Sequence, residues 1–579
     1  MLEEGGRSLT GARWRVEAVD ESAVSRLSEE LKLGRVAAQV LVGRGLAEVG
    51  AARRFLAHDL DGLQDPSEMR DMDRATALVS GAVEEGAPIR IYGDFDVDGV
   101  CATTLMVRAL SGLGAKVDWY IPHRVEEGYG VNEEAVREAA AAGIKLLITV
   151  DCGTTAVEQV ALARELGMEV VVTDHHRPGE SLPEAPVLNP WRADCGYPFK
   201  DLAGVGVAFK LVTSLARACG LPEGSELRFL DLVCLGTVAD VVPLLGENRL
   251  FVHHGMQRMA TSKKLGLVAL MEAAGVRGKL GTREVAFGLA PRINAAGRME
   301  HAEAAVRLLL TKDPGEARRL AQELSAQNDR RREEERQTLA EAEARVEEGV
   351  DLSREKVLVL ESESWHPGVI GIVASRLVER YHRPALLIAV QEGAGKGSGR
   401  SIRAFNLWEG LRECAPLLTR YGGHRYAAGF GVAVEQIGRL RERINEVADS
   451  QLSAADLVRE VEVAGEAELS ELSWEAVSEL DELAPFGLGN PTPVLTTRGV
   501  RVATAAKVGD GSHLSMKVGD GAGRVTGAIW FGQGAQLEEL PTGAMVDVCY
   551  RPMLDDWNGE RRVRLHIEDV RMRQPCCRV

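Results

Sequence analysis

Three aspartates at alternate positions give this sequence its clearest chemical signal. Residues 88–99, PIRIYGDFDVDG, are a short apolar run that ends at Asp94, Asp96 and Asp98. A helical pattern follows over residues 100–110, so we predict a strand, a loop and a helix with the acids at the strand's carboxyl end. Ligands of open parallel sheets bind at that edge. Carboxylates this close repel one another unless a cation lies between them, so the segment indicates a metal site.

Two simpler readings of this segment exist. The pattern D-x-D-x-D-G also opens a calcium-binding loop, but such a loop needs a glutamate at its twelfth position, which here is Leu105. That loop also follows a helix, whereas a strand is predicted here. The other reading is a solvated acidic turn, which is a common feature of loops.

More acids and imidazoles follow other apolar runs. KLLITVDCG ends at Asp151, EVVVTDHH ends at Asp174, His175 and His176, and Asp240 interrupts the apolar stretch LGTVADVVPL. A single aspartate at a strand end often caps the next helix, and paired histidines can be ordinary surface residues. Four coincident strand ends, with Asp240 as the fourth, favour a metal site instead. Aspartate with histidine suits Mn²⁺ or Mg²⁺ better than Ca²⁺, and five or six ligands suffice for two ions sharing a bridging carboxylate.

The elements around these residues alternate between strand and helix. From about residue 76 the chain reads IRIYG, a helix, KVDWYIP, a helix, KLLITVDCG, a helix and EVVVTDHH. This alternation predicts βαβ units and a parallel sheet covered on both faces. We therefore expect an α/β catalytic domain over residues 76–313, preceded by a helical segment over residues 1–75.

The remainder of the chain divides into three predicted parts. Residues 314–348 combine helical periodicity with many acid–base pairs and predict one long connecting helix between two lobes, because the apolar seam is too sparse for a coiled coil. A second α/β lobe is expected over residues 349–455, with a cleft between the lobes. Short strands and glycine turns over residues 456–575 predict a small β-barrel, and RRVRLHI (561–567) alternates basic with apolar residues, which gives one basic face.

Composition limits the class of protein. The 579 residues suggest about four domains, and 45% hydrophobic with 27% charged residues is ordinary for a globular protein. Nine cysteines without a C-x-x-C pair indicate neither a zinc site nor a disulfide framework. No long apolar run or leader-like start is present, so a cytoplasmic protein without membrane contact is expected. The formal charge of −17 excludes a uniformly nucleic-acid-coating surface but not a local basic groove.

A glycine-rich segment, GAGKGSGRS (393–401), lies in the second lobe. We predict a loop whose N–H groups cradle phosphate beside Ser398 and Arg400; a merely flexible loop is the alternative. A P-loop is excluded, because its first glycine would fall at Val390 and Gly397 replaces the required serine or threonine. A second glycine pattern, GVGVAF (204–209), ends in Phe209 and so lacks the last glycine of a dinucleotide-binding fingerprint.

The order GDFDVDG, VDCG, TDHH and ADVV resembles the DHH phosphoesterase superfamily. Four downstream segments are similar to the RecJ family of bacterial single-strand-specific exonucleases within it: RINAAGR (292–298), WHPGVIGIVASRL (365–377), GKGSGRS (395–401) and YGGH (421–424). The resemblance covers nearly the whole chain. It implies a barrel of the OB type that binds unpaired strands.

The resemblance also implies residue roles. Two Mn²⁺ or Mg²⁺ ions would be held by Asp96, Asp98, Asp151, His175 and Asp240, with Asp151 as the bridge. Asp94, Asp174 and His176 would support catalysis, and His176 would help with proton transfer or with the scissile phosphate. The 5′ end of the strand would be held by Arg124, Arg298, Ser398 and Arg400, with His424 nearby, because guanidinium groups bind a terminal phosphate in a bidentate manner.

The implied function is metal-dependent hydrolysis of single-stranded DNA from the 5′ end to mononucleotides, in DNA repair and recombination, with a helicase and a single-strand-binding protein as partners. Trp530, Phe531 and Trp557 are candidate stacking residues, although aromatics in small barrels also form the core. One rival is another DHH hydrolase acting on short RNA, cyclic dinucleotides or pyrophosphate. Such relatives usually lack the barrel. The other rival is a non-catalytic replication scaffold, which would have lost metal ligands.

Overall fold

The computed structural model describes residues 7–123, 127–276, 278, 280–299, 302–557 and 560–573, with the backbone alone at residues 298, 299, 557 and 560. The helices are α1 (Glu21–Leu31), α2 (Arg35–Gly43), α3 (Val49–Ala57), α4 (Met72–Glu84), α5 (Val97–Gly112), α6 (Glu133–Ala141), α7 (Val157–Glu165), α8 (Gly204–Ala218), α9 (Leu230–Ala239), α10 (Gly246–Ala260), α11 (Leu265–Ala273), α12 (Ala290–Met299), α13 (Glu303–Leu310), α14 (Pro314–Gly349), α15 (Ile370–Tyr381), α16 (Leu407–Arg412), α17 (Ile437–Gln451) and α18 (Trp474–Asp481).

The strands are β1 (Arg7–Ser8), β2 (Arg13–Val16), β3 (Pro88–Tyr92), β4 (Lys116–Tyr120), β5 (Leu146–Val150), β6 (Glu169–Thr173), β7 (Val187–Leu188), β8 (Leu358–Ser362), β9 (Ala385–Gln391), β10 (Ala394–Arg400), β11 (Leu418–Gly423), β12 (Ala427–Ala433), β13 (Glu460–Val463), β14 (Gly465–Glu466), β15 (Leu495–Val508), β16 (His513–Gly519), β17 (Val525–Trp530), β18 (Met545–Trp557) and β19 (Glu560–Met572). Two compact units result. Unit A comprises Arg54–Arg331 and Ala484–Pro491, and unit B comprises Met1–Arg53, Arg332–Leu483 and Thr492–Val579.

Unit A is built on a five-stranded parallel sheet in the order β4-β3-β5-β6-β7. Ile91 pairs with Trp119 on one side and Ile148 on the other, so β3 is a central strand. The strand order reverses at β3 and β5, and such a switch point is where open α/β sheets form their ligand sites. The predicted α/β class is confirmed.

The helices of unit A bury their apolar faces around this sheet. The buried side chains of α5, α8 and α9 join those of β3 and β5 in one hydrophobic core. α9 is apolar on every side, as its sequence LDLVCLGTVA requires of a helix buried all round. These three helices therefore pack against the sheet through one shared core, which holds their ends close to its carboxyl edge.

Unit B contains a five-stranded sheet in the order β11-β12-β10-β9-β8. β8 and β9 are parallel, and the remaining neighbours are antiparallel. The predicted second α/β lobe is therefore present, with a mixed sheet.

The predicted glycine-rich loop is wrong. Its residues form β10, which pairs along its whole length with β9 and β12, so its amide groups belong to the sheet ladder. A Cβ at Gly397 would lie 2.2 Å from the ring of Phe430. The glycines are therefore explained by side chains that cover one face of the strand closely, and not by a need for free backbone.

The C-terminal part of unit B is a closed five-stranded barrel. β15, β16, β17, β19 and β18 pair in turn, and β18 pairs back to β15. This arrangement confirms the predicted OB barrel. Leu565 and Ile567 of β19 are buried while Arg562 is exposed, as the alternation of RRVRLHI predicts.

The three candidate stacking residues differ in position. Trp530 is almost completely buried, so its prediction as a stacking residue is wrong and its indole belongs to the barrel core. Phe531 is 53% exposed. The side chain of Trp557 lies outside the described residues.

The N-terminal segment is only partly helical. It contains the three helices α1, α2 and α3. Two strands were not predicted: β1 pairs with β19 of the barrel, and β2 pairs in parallel with β13. The first residues of the segment therefore add strands to the sheets of unit B.

The predicted connecting helix is present as α14, with 36 residues and a length of roughly 54 Å at 1.5 Å per residue. Its charged pairs lie three or four residues apart, as in Arg345 with Glu341 at 2.8 Å and Arg336 with Glu333 at 2.6 Å. Exposed pairs of this kind support a helix modestly. In the described part of the chain, none of the helices has the length and apolar character needed to cross a membrane.

Candidate metal centre

Three parallel strands of unit A end in acids at one edge of the sheet. β5 stops at Val150 and β6 at Thr173, so Asp151 and Asp174 follow directly. β3 stops two residues before Asp94. Because β3, β5 and β6 are neighbours, their carboxyl ends bring these side chains together.

The start of α5 fixes the other two acids of the first motif. Asp96 is the N-cap, and its Oδ1 accepts hydrogen bonds from the backbone N–H groups of Asp98 at 2.9 Å and Gly99 at 3.1 Å. This is the usual preference of aspartate at a helix start. Asp98 then lies in the first turn, and its side chain is buried.

The start of α8 binds Asp98 from the opposite side. Gly204 N–H donates to Asp98 Oδ2 at 2.6 Å, and Val205 N–H donates to Oδ1 at 3.0 Å. A Cβ on Gly204 would lie 2.3 Å from Asp151 Oδ1. The GVGVAF segment therefore serves the centre through a close approach of backbone that only glycine permits.

His175 and Asp240 complete the cluster. His175 Nε2 lies 3.2 Å from Asp151 Oδ1 and 3.6 Å from Asp240 Oδ2. Asp240 is the C-cap of helix α9, so the expectation of a strand end at this position is wrong, because the apolar stretch before it forms a buried helix. Ligand atoms within 4.8 Å of one another form three overlapping groups: Asp151 with His175 and His176, Asp98 with His175 and Asp240, and Asp94 with Asp96 and Asp151. Asp151 and His175 are shared between groups.

Three polar atoms in this cluster are buried and make no hydrogen bond to any residue that the structure describes. They are Asp151 Oδ1, His175 Nε2 and Asp240 Oδ2. A buried acceptor that lacks a donor costs on the order of 1–3 kcal/mol. Their convergence is explained if a cation supplies the missing partner, so the donor set fits a hard divalent ion.

The backbone is strained at two points beside these ligands. Asp151 has φ +61°, and Val241, the residue after Asp240, has φ +60°. A β-branched residue is a genuine outlier in the left-handed region, and such strain concentrates at functional sites. The strain therefore lies at one proposed ligand, Asp151, and directly beside another, Asp240.

Asp174 differs from the other acids because both of its carboxylate oxygens accept hydrogen bonds from nearby protein groups. Its Oδ1 accepts from the backbone N–H groups of His175 and His176 and lies 2.8 Å from His176 Nδ1, and its Oδ2 accepts from Thr154 N–H at 2.9 Å. The hydroxyl of Tyr129 lies 2.9 Å from the same nitrogen of His176. Asp174 therefore orients the two histidines.

Burial and charge shift the protonation of these groups. Burial, with the charges of Asp98 and Asp96, raises the pKa of Asp151 and of Asp240 far above the usual range, and burial with the Asp96 charge raises the pKa of Asp98 to about 7. Burial lowers the pKa of His175 to about 4. The pKa of Asp174 is lowered instead, because its hydrogen bonds with His176 outweigh burial. A cation bound among these carboxylates would oppose the shifts and favour their ionised forms.

The residues expected to bind substrate are not all in this unit. Ser398 and Arg400 share one face of β10 in unit B, and a Cβ on Gly371 at the start of α15 would lie 2.8 Å from Ser398 Oγ and 3.3 Å from Arg400 Nη2. His424 is exposed after β11, and its N–H donates to Ala427 O, where Ala427 pairs with Arg400. These three therefore lie at one end of the sheet. Arg124 and the side chain of Arg298 lie outside the described residues.

Three functional positions were missed by sequence reasoning. Gly204 was read only as an incomplete dinucleotide fingerprint. Tyr129 gives no sequence signal, since its contact with His176 spans 47 positions. Asn189, completely buried, donates to His176 O at 2.8 Å and Thr154 Oγ1 at 2.9 Å. Its signal is weak, because a single asparagine after β7 resembles many turns.

The fold and this centre define a phosphoesterase of the DHH class, and comparison with known proteins agrees. The chain matches the model of the DHH family N-terminal domain over residues 88–237, the DHHA1 domain over residues 354–450 and the RecJ OB domain over residues 463–569.

The relatives narrow this class. The single-stranded-DNA-specific exonuclease RecJ of Bacillus subtilis is 38% identical over 96% of the chain and 70% of its own length. The crystal structures of Thermus thermophilus RecJ in complex with Mn²⁺ and with Mg²⁺ match with TM-scores of 0.83 and 0.78 and identities of 35% and 33%, over 97% of the chain and 80% and 79% of theirs. The chain belongs to the RecJ family.

Proposed function

We propose that this protein is an exonuclease that hydrolyses single-stranded DNA from the 5′ end to mononucleotides, in DNA repair and recombination. The observation that carries the proposal is the cluster of buried carboxylates and imidazole, in which Asp151 and His175 belong to two groups each. Family membership supports the substrate, since the relatives are named single-stranded-DNA-specific exonucleases.

The cofactor proposed is a pair of Mn²⁺ or Mg²⁺ ions held by Asp96, Asp98, Asp151, His175 and Asp240. The unpartnered buried atoms of Asp151, His175 and Asp240 support this set. The RecJ structures with Mn²⁺ and Mg²⁺ support the choice of metals. Asp94 lies as close to Asp96 and Asp151 as a ligand would, so its role as a supporting residue stays a prediction. When bound, such ions activate water and neutralise the charge of the phosphate in the transition state.

The protein's own side chains orient the reacting groups. Asp174 Oδ1, which accepts a hydrogen bond from His176 Nδ1, and the hydroxyl of Tyr129 beside the same nitrogen fix the imidazole of His176. Burial lowers the pKa of His176, but the hydrogen bond and charge of Asp174 outweigh it and raise the pKa overall. We infer that His176 holds a proton beside the scissile phosphate and supports the leaving oxygen.

The 5′ end is proposed to bind in unit B through Ser398 and Arg400, with His424 beside them. α15 begins next to this pair without a side-chain cap, so its first amide groups add positive potential. Arg400 can offer two parallel N–H donors to a terminal phosphate. Arg124 and Arg298 remain predicted contributors.

The barrel is proposed to hold the unpaired strand. Phe531 is exposed between His513 and His566, with ring centroids 5.2 Å and 5.4 Å away, and Arg564 lies on the same strand as His566. Exposed rings next to basic groups suit stacking of successive bases. Delivery of the strand by a helicase and a single-strand-binding protein, in the cytoplasm, stays a prediction that pull-down with the full chain would test.

The deciding experiment is Mn²⁺-dependent release of nucleotides from single-stranded DNA labelled at one end, with duplex, short RNA and cyclic dinucleotides as other substrates. Asp151→Asn should lower the rate by several orders of magnitude, because the shared ligand is lost. Asp73→Asn, an exposed acid on α4, is the matched control. Preferential cleavage of RNA or cyclic dinucleotides would support the rival hydrolase, and binding without cleavage would support a scaffold.

A further inference from the structure

A basic pocket lies in unit A away from the metal centre. Its volume is about 550 Å³, and it is lined by Arg108, Arg228, Arg258, Lys263, Lys264 and Lys312. The one acid among the lining residues is Asp231. In a chain with a formal charge of −17, this concentration of cations stands out from the average surface.

Four of these cations are exposed: Arg228, Arg258, Lys263 and Lys312. Over the described ranges, none of the four has a carboxylate within ion-pair distance, whereas ion pairs are frequent elsewhere on this acidic surface. Their charges are therefore available to an external anion.

The floor of the pocket is fixed by buried groups. Lys264 Nζ lies 2.7 Å from both oxygens of Asp231, which is 2% exposed and also accepts from Ser262 Oγ at 2.9 Å. Arg108 Nη2 donates to Leu309 O at 2.6 Å. Burial lowers the pKa of Lys264, Asp231 opposes this, and the charges of Arg108 and Arg258 lower it further. The single acid thus neutralises one of six cations and leaves the pocket positive.

The start of α11 adds to this potential. The helix begins at Leu265, which lines the pocket, and Lys264 before it provides no side-chain cap. The first amide groups of the helix therefore carry partial positive charge toward the same space. Thr261 and Thr311 also line the pocket, but their hydroxyls donate to Gln257 O and to Glu316 Oε2, so the cations and the helix start carry the attraction for an anion.

This pocket is separate from the metal centre. Asp231 and Asp240 lie near opposite ends of α9, nine residues apart, which corresponds to about 14 Å at 1.5 Å per residue. Arg108 and Asp98 are similarly separated by about 15 Å along α5. A group bound in the pocket would not reach the reacting phosphate of the proposed activity.

We propose that this pocket binds the phosphate backbone of nucleic acid outside the active centre. Phosphate contacts by lysine and arginine position a nucleic acid without reading its sequence, which fits a lining rich in cations. No aromatic side chain of the described residues lines the pocket, and Leu265 is its one large apolar residue, so neither a stacked base nor the apolar anchors of a peptide are provided for.

The test is DNA binding by the full chain in the presence of a chelator, so that cleavage does not interfere. Lys263→Gln/Lys312→Gln removes two exposed charges from the pocket. The matched control is Lys116→Gln/Lys145→Gln. It removes two exposed charges at the amino ends of β4 and β5 that do not line the pocket. Affinity for a 40-nucleotide strand and for a duplex with a single-stranded 5′ overhang is measured against salt concentration.

The pocket variant should bind at least one of these DNAs about 25-fold more weakly at 0.1 M salt, with the salt slope reduced by roughly 1.4, because each lost phosphate contact changes the slope by about 0.7 for single strands. The control should stay within about twofold of the wild type. Identical behaviour of the two variants would overturn the proposal, as would stronger competition by a poly-glutamate peptide than by DNA of equal charge. The inference rests on the proposed function only for the identity of the polymer. If the wild-type protein bound DNA but showed no metal-dependent cleavage, the proposed function would be refuted. The proposal that the pocket binds phosphate would still stand.

Discussion

Gly204→Ala should disable the metal centre without unfolding the protein. The added Cβ would lie 2.3 Å from Asp151 Oδ1 and 2.7 Å from Asp151 Cβ, whereas an ordinary contact begins at 3.4 Å. Either Asp151 or the start of α8 must therefore move by about 1 Å. Asp151 is a proposed ligand with a strained backbone conformation, and the N–H of Gly204 binds Asp98, which is another. The first movement would therefore displace Asp151, and the second would disturb Asp98.

The expected cost in stability is about 1–3 kcal/mol, as for overpacking of a close-packed site. A misplacement of about 1 Å in catalytic geometry costs on the order of 100-fold in rate. The measurements are kcat on single-stranded DNA, the Mn²⁺ concentration for half-maximal activity, and urea unfolding. Gly81→Ala is the control, because its Cβ meets no atom within 4 Å in the interior of α4, so it should keep full activity and gain about 0.5–1 kcal/mol.

An activity of Gly204→Ala within about threefold of the wild type, at unchanged Mn²⁺ dependence, would refute the reasoning. It would mean that neither Asp98 nor Asp151 is needed in the observed position. If the variant lost activity and also showed no cooperative unfolding transition in urea, Gly204 would instead be required for folding of unit A.

Three further predictions concern other parts of the chain. Arg400→Ala should slow degradation of 5′-phosphorylated DNA by about tenfold or more and of 5′-hydroxyl DNA by less, and a coupling energy near zero in this double cycle would contradict phosphate binding by Arg400. Lys210→Met should lower the free energy of unfolding by about 3–5 kcal/mol, because Glu247, which is 1% exposed, loses its ion pair. Among the described residues, Glu247 then keeps the Gln64 N–H and the Tyr197 hydroxyl as donors. A loss below about 1 kcal/mol in urea unfolding would contradict this prediction. Burial and the charges of His58, His254 and Arg249 lower the pKa of His253 from 6.5 to about 4. As pH falls from about 6.5 to 4, His253 therefore takes up its proton in the unfolded state before the folded state, which destabilises the fold. His253→Gln should therefore lose less Tm than the wild type over that range, and equal losses would refute the shift.

The parallel sheet and most of the metal cluster could be predicted from local sequence. Each apolar run that ends in an acid is a strand whose last residue directs the chain to the same edge, and the sheet then gathers Asp94, Asp151 and Asp174 without further information. Asp240 was accessible by a different argument, because an acid within an apolar stretch demands a partner. These signals depend on neighbours within a few residues.

What could not be predicted depends on contacts between distant segments. The requirement for glycine at 204 comes from Asp151, 53 positions earlier, and the two meet only when α8 packs behind the sheet. The basic pocket likewise gathers residues from α5, the turn before α9, α9, α10, the connection between α10 and α11, the first residue of α11 and the segment after α13, and no more than two of its cations are adjacent in the sequence. Charge patterning along the chain therefore could not reveal it.

The strand β10 shows how the same composition can have opposite meanings. Glycines at alternate positions were read as free backbone for phosphate, but their period of two is also that of a strand, and Phe430 and Leu386 occupy the space that side chains would need. Because the amides of β10 bond to β9 and β12, phosphate recognition on this strand must come from side chains on its other face. Ser398 and Arg400 are on that face, so the strand's own backbone cannot replace Arg400 when it is removed. Loss of the Arg400 guanidinium is therefore expected to weaken 5′-phosphate binding more than loss of one donor from a cradle of backbone N–H groups would.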